Sequence, residues 1–295
     1  MSQSAPFKLA CVQNSAVAEV DRNIAIAGRL TRAAIDQGAR IVCLPEYFSG
    51  VSLKGGLLHP AAFAEGRHPV LQAFSDLARE RRVWLLLGSL GVLAGDGRIF
   101  NRGYLLDPAG SLAARYDKIH MFDVELTEGA PLRESATIAP GDCAVLADMG
   151  LCKMGLSICY DLRFPHLYRR LAQAGADLLA VPAAFTKVTG EAHWHVLNRA
   201  RAIENGCYVA APCQYGTLPG GADCFGHSLI IDPWGRVLAD GGNEEGVILA
   251  EIDPAEVAKA RARIPALSHD REFAGPNETD RSPIRNRPDH QRFRK

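Results

Sequence analysis

The sequence predicts an α/β protein built as a layered α-β-β-α body with two similar halves. Two observations carry this. Short apolar runs alternate with amphipathic stretches of helical spacing, the pattern of βαβ units whose parallel strands are buried on both faces. In addition, Gly38-Ala39-Arg40 leads into an apolar run ending at Pro45, and Gly175-Ala176-Asp177 leads into another ending at Pro182. Each follows a predicted helix, so the two segments read as equivalent parts of two halves.

The elements follow in order. Residues 7–13 read as an opening strand. Residues 21–38 read as a helix, with Ile24, Ala27, Leu30, Ala34 and Ile35 on its apolar side and Gly38 as its cap. Residues 39–44 form a strand that ends at Pro45-Glu46. A helix over 69–82 feeds a buried strand over 83–88. Residues 100–106 and 111–116 pair as a hairpin around Asp107-Pro108-Ala109-Gly110, and residues 143–146 and 152–158 pair around Asp148-Met149-Gly150. Helix 165–174, strand 176–181, helix 191–205 and strand 207–211 repeat the βα alternation. Strands 226–231 and 236–239 flank Asp232-Pro233-Trp234-Gly235; strand 246–252 and helix 254–263 complete the body. No linker divides the chain, so residues 7–264 read as one domain. Residues 265–295 read as an extended, partly disordered tail.

Composition excludes several function classes. Of 295 residues, 47% are hydrophobic and 22% charged, enough apolar material for a sizeable core. Lys plus Arg equals Asp plus Glu at 33 each, which argues against a polyanionic partner for the whole molecule. The tail arginines Arg281, Arg285, Arg287, Arg292 and Arg294 lack the interleaved aromatics of a nucleic-acid site, so no nucleic-acid partner is expected. No basic start with an apolar run, and no stretch near the roughly 20 apolar residues of a spanning helix, opens or crosses the sequence. No membrane association and no leader are therefore expected. The 8 cysteines are dispersed, with no CxxC pair, as expected of reduced thiols in a cytoplasmic protein.

Chemistry belongs at the C-terminal ends of strands in such sheets. Three such ends carry polar residues that are expensive to bury without purpose: Glu46 after Leu44-Pro45, Lys118 after Tyr116-Asp117, and Cys159 after Ser157-Ile158. A thiol there is exposed to a substrate, with backbone N–H groups beyond it free for an oxyanion. Lys118 could supply the cation that lowers a thiol pKa, and Glu46 could take the proton and later activate water. Spacing alone leaves other roles open: Cys159 as a core thiol, Glu46 as a helix N-terminal residue, Lys118 and Glu134 as surface groups. A Cys-His pair of Cys159 with His120, His195 or His227 also stays open. His193 and His195 are two apart on a predicted helix and do not share a face, so they make a poor metal pair. No HExxH, GxSxG, Walker A or GxGxxG pattern occurs.

Taken together, Leu44-Pro45-Glu46-Tyr47, Tyr116-Asp117-Lys118-Ile119-His120 and Gly155-Leu156-Ser157-Ile158-Cys159-Tyr160-Asp161 resemble the three ordered motifs of the nitrilase superfamily, the carbon–nitrogen hydrolases. The resemblance spans about residues 8–264. It implies a four-layer α-β-β-α sandwich of that type, a homodimer, and a thiol amidohydrolase that needs no metal or organic cofactor. It also implies roles. Glu46 would be the general base and Cys159 the nucleophile. Lys118 would stabilise the tetrahedral intermediate, and Glu134, in Leu132-Arg133-Glu134-Ser135, would position Lys118 and the substrate. The segments around Ala183-Ala184-Phe185-Thr186, Arg199-Ala200-Arg201-Ala202 and Gly226-His227-Ser228 resemble the Nit branch, which cleaves terminal amides of 2-oxo acids such as deaminated glutathione or α-ketoglutaramate. On that resemblance Arg163 would meet a substrate carboxylate, with Tyr47, Tyr160 and Phe185 walling the pocket. The Gly-rich stretch 213–225 departs from the branch pattern and leaves room for another aliphatic amide, an N-carbamoyl compound or a nitrile.

Overall fold

A computed structural model describes residues 5–126 and 131–273. The arginine-rich segment 274–295 lies outside them. The first half runs Phe7–Gln13 (β1), Val20–Asp36 (α1), Ala39–Cys43 (β2), Pro69–Arg81 (α2), Trp84–Leu93 (β3), Ile99–Leu106 (β4) and Leu112–Asp117 (β5). The second half begins with Val145–Asp148 (β6), Lys153–Leu156 (β7), Pro165–Gln173 (α3) and Leu178–Ala180 (β8). It continues with Lys187–Asn205 (α4), Tyr208–Ala211 (β9), Leu229–Ile231 (β10), Val237–Asp240 (β11), Gly246–Ile252 (β12) and Pro254–Arg263 (α5).

The two halves share one topology. In the first sheet β1 pairs parallel with β2, β2 parallel with β3, β3 antiparallel with β4, and β4 antiparallel with β5. In the second sheet β7, β8, β9, β10 and β11 repeat that series of pairings in the same order and sense. An antiparallel strand lies beside the first strand of each series: β12 beside β1, and β6 beside β7. The Gly38 and Gly175 echo therefore marks structurally equivalent strands, β2 and β8, each entered from a helix.

Alternation along the strands assembles the layers. Leu9, Cys11, Ile41 and Cys43 project into a core shared with Met154, Leu156 and Leu178 of the second sheet. Their neighbours Ala10, Val12, Val42 and Leu44 project the other way, onto Ala27 and Leu30 of α1 and Phe74 and Leu77 of α2. Side chains of period two on a doubly covered strand give this two-sided burial. Leu167, Leu171 and Trp194 bring α3 and α4 onto the second sheet. The arrangement is the expected α-β-β-α sandwich.

Element bounds differ from the expectations at two instructive places. Strand β3 continues through Gly88 to Leu93, with an irregular register between Leu87 and Leu90. A Cβ at Gly88 would overlap the Leu44 and Pro45 carbonyl oxygens, so glycine there permits a close crossing rather than ending the strand. The segment carrying Glu46 is held along this crossing by Leu44 N–H to Leu86 O (2.9 Å) and Tyr47 N–H to Ser89 O (3.1 Å). Helix α4 begins at Lys187, one turn before the expected 191. Gly190 inside it lies so close to the Phe225 ring that any side chain would collide, which accounts for a helix-weakening residue there.

Three short hairpins were not legible as strands: Val51–Lys54 with Leu57–Pro60, Asp123–Glu125 with Pro131–Arg133, and Tyr215–Thr217 with Asp223–Phe225. All three contribute to the rim of one cavity. Residues 266–270 are tied to α3: Arg169 donates to Ala266 O (2.6 Å) and pairs with Asp270 (3.2 Å).

Candidate active site

Glu46, Lys118, Glu134 and Cys159 converge at the floor of a cavity of about 750 Å³, mouth included. They come from both halves. Glu46 stands just past β2, Lys118 just past β5, Glu134 starts a single 3-10 turn, and Cys159 follows β7. The backbone is bent at two of these strand ends: Tyr47 has φ 51° and Cys159 has φ 48°, left-handed values that side-chain-bearing residues adopt at a cost of about 1–3 kcal/mol. At Cys159 the strain lifts the thiol out of the strand direction into the cavity. The Cys159 N–H is anchored by Pro182 O at 2.9 Å.

The charges are almost completely dry, with side-chain exposures of 4% for Glu46, 2% for Lys118 and 0% for Glu134. Lys118 Nζ donates to Glu46 Oε1 at 3.1 Å and lies 2.9 Å from both Glu134 oxygens. Deleting one member of such a buried pair leaves an uncompensated charge, worth about 3–5 kcal/mol. Burial disfavours the Lys118 ammonium, but Glu134 and Glu46 outweigh it and hold its pKa well above the ordinary lysine value. The Phe122 N–H fixes Glu134 at 2.6 Å. On Glu46, Oε2 accepts the Ala184 N–H at 2.9 Å, and the carboxylate lines the same cavity as Cys159.

Lys118 does lower the Cys159 pKa, as a neighbouring cation should, but it is not the largest influence. Burial raises the Cys159 pKa first, the Glu46 charge raises it further, and Lys118 only partly opposes them. Two carboxylates against one ammonium leave one net negative charge around the sulfur. A thiolate would add a second among charged side chains that are almost fully buried. Burial and the neighbouring carboxylate thus both favour the neutral thiol form of Cys159.

Two residues that sequence reasoning did not single out complete the arrangement. Asn101, fully buried, donates through Nδ2 to Glu46 Oε1 (2.8 Å) and Glu134 Oε1 (3.4 Å), holding the two carboxylates in register. An asparagine inside an apolar strand is a disfavoured choice, and that mismatch was the available signal. Asp161 accepts from Tyr116 OH (2.7 Å), the His120 backbone N–H (3.0 Å) and the Ile158 N–H (2.9 Å). It fastens the Lys118 strand end to the Cys159 turn. The histidines considered as partners of Cys159 are engaged elsewhere: His120 pairs with Asp161, and His195 and His227 pair with Asp240.

The cavity wall is mostly apolar, from Val51, Leu53, Leu58, Phe122 and Leu218. Tyr47, Tyr160 and Phe185 line it as expected. The Tyr47 hydroxyl is buried without a hydrogen-bond partner among the described residues, so it is available to a ligand. Arg163 is not in the lining. Its guanidinium packs over the Tyr160 and Phe185 rings, 5.9 and 5.7 Å from their centres, and donates to His193 Nδ1 at 3.2 Å. Asp161 is committed to other donors. Arg133, at the end of a rim hairpin, does line the cavity.

Residues 8–262 match the carbon-nitrogen hydrolase family model. The chain belongs to the carbon-nitrogen hydrolase family. It is 41% identical to a deaminated glutathione amidase of Synechocystis, over 90% of this chain and 98% of that one. It is 37% identical to an omega-amidase of Mus musculus, over 90% and 95%. The crystal structure of the C. elegans NitFhit protein superposes with a TM-score of 0.84 at 33% identity, covering 92% of this chain. The match spans 66% of that longer protein, just under two thirds of its length. The carbon-nitrogen hydrolase fold thus carries an amidohydrolase-type site in this chain.

Because the Glu46 charge raises the Cys159 pKa, Glu46→Gln should lower it while abolishing turnover. Iodoacetamide labelling of the Cys159 peptide, followed against pH by mass spectrometry, should show its midpoint move to lower pH. An unchanged or higher midpoint would mean that Glu46 does not set the thiol's protonation.

Proposed function

We propose that this chain is a thiol amidohydrolase that releases ammonia from the terminal amide of a 2-oxo acid, with deaminated glutathione as its substrate. The observation that carries this reading is the Glu46 carboxylate, which accepts the Lys118 ammonium beside Cys159 at the floor of an apolar cavity. The thiol proton passes to Glu46 as the sulfur bonds to the amide carbon. Net charge in the pocket is unchanged by that transfer, so the dry site does not oppose it. The oxyanion is met by Lys118 and by the Tyr160 N–H, which a helix start leaves free. Collapse breaks the C–N bond, and Glu46 returns the proton to the departing nitrogen. Water then gives a proton to Glu46 and attacks the thioester. The carboxylic acid leaves, and the sulfur regains its proton.

The amidase and omega-amidase relatives support the substrate class, and the higher identity to the former favours deaminated glutathione over α-ketoglutaramate. Ammonia release should be fastest with deaminated glutathione and slower with α-ketoglutaramate, simple aliphatic amides and carbamoyl amines. Cys159→Ala should abolish release without loss of fold. Ammonia produced from a matched nitrile but not from the 2-oxo-acid amide would overturn the reading.

The substrate carboxylate is proposed to meet the guanidinium of Arg133 at the rim, with Arg163 behind the aromatic wall in a supporting position. A charge-assisted hydrogen bond of about 1.5–3 kcal/mol predicts a roughly tenfold or larger rise in KM for Arg133→Met at little change in kcat. Arg163→Met should raise KM less. The reverse ranking would place the carboxylate at Arg163.

The chain is further proposed to act as a cytoplasmic homodimer. Among the described residues no helix is long and apolar enough to cross a membrane. Val188, Val196 and Ile203 are exposed by 71, 66 and 52% along α4, an apolar face suited to a second copy. Light scattering should give twice the chain mass, and Val196→Lys should shift it toward one chain. A monomeric wild-type protein would refute the pairing.

A further inference from the structure

His195, His227 and Asp240 form a second cluster of ligating groups that the amidase chemistry does not use. His195 Nε2 lies 2.9 Å from Asp240 Oδ2, and His227 Nδ1 lies 2.9 Å from Asp240 Oδ1. One ligand atom from each residue falls within 4.8 Å of the others. The residues come from three elements: His195 from α4, His227 from the turn before β10, and Asp240 from the end of β11. His195 and His193 diverge along α4, as their spacing requires. The fold instead gives His195 a histidine partner from thirty-two positions away in sequence.

The cluster is held by its surroundings as a ligand set needs to be. His227 sits at φ 50°, fixed on both sides of its backbone: its N–H donates to Gly242 O (2.7 Å), and its carbonyl accepts Trp194 Nε1–H (2.7 Å). The Phe225 ring stacks on the imidazole, 4.5 Å between centres. The Gly242 N–H holds Asp240 Oδ1 at 2.9 Å. Side-chain exposures of 35% for His195, 24% for His227 and 33% for Asp240 leave solvent access for further water ligands.

We propose that His195, His227 and Asp240 bind one divalent transition-metal ion of the zinc, nickel or copper class. Two imidazoles and one carboxylate suit these ions and not magnesium or calcium, which prefer oxygen donors. At metal–ligand bonds of about 2.1 Å the donor atoms of a tetrahedral site stand about 3.4 Å apart, so small rotations of the side chains suffice. Each neutral imidazole keeps its proton on the ring nitrogen away from the ion. The Asp240 carboxylate exchanges two N–H donors for one metal bond. The ion would clip α4 to the turn before β10 and to β11. It serves no reaction step, because none of the three residues lines the amidase cavity, which α4 reaches through Thr189.

The test is calorimetric titration of zinc and of magnesium into the full chain carrying Cys159→Ala, which removes the competing active-site thiol. Zinc should bind one ion per chain and raise the melting temperature, and magnesium should do neither. His195→Asn and, separately, Asp240→Asn on the same background should abolish that binding and the thermal shift while leaving the metal-free melting curve in place. Absence of stoichiometric zinc binding, or zinc binding that survives both substitutions, would overturn the proposal.

Discussion

Lys118 is buried between two carboxylates, and most of the site follows from that one constraint. Three ionised groups can share a dry pocket only if each has partners for its charge. Glu134 is pinned by Lys118 and the Phe122 N–H, and Glu46 by Lys118, Asn101 and the Ala184 N–H. These partners come from segments scattered between Glu46 and Ala184, nearly half of the chain. The cluster is therefore a joint among strand ends as well as a reaction centre. Its one surplus negative charge opposes ionisation of the neighbouring Cys159 thiol.

The duplicated architecture explains how such a joint can be placed. Two sheets of the same topology stack through Leu9, Cys11, Ile41 and Cys43 on one side and Met154, Leu156 and Leu178 on the other. Stacking brings strand ends of both halves to one edge. There the first half supplies Glu46 and Lys118, and the second supplies Cys159. Asp161 fixes their relative position through Tyr116, His120 and Ile158. The short hairpins then add an apolar rim, so chemistry and selectivity are carried by different parts of the chain.

Much of the body was legible in sequence because its elements are regular. A strand covered on both faces is apolar throughout, and a helix on a sheet repeats its apolar residues at a fixed spacing, so β2, α1 and β8 read directly. Gly88 misled because a glycine in a strand reads as a stop, whereas here it permits a crossing under Leu44 and Pro45. The rim hairpins escaped because they are short and their partners are set by packing around the cavity, not by alternation. Asn101 escaped because its role is defined only by two carboxylates that are distant in sequence.

The sequence by itself determined the layered α/β body, the echo between its halves, and the ordered motifs that carry Glu46, Lys118 and Cys159. Local pattern and motif order are properties of the chain alone. Only the tertiary structure decided the burial of Cys159 beside Glu46 and Lys118, the place of Arg133 in the lining with Arg163 outside it, and the meeting of His195 with His227 and Asp240. Each depends on which groups share a volume and how much water reaches it. Burial and electrostatics act through space, and spacing along the chain does not encode those distances.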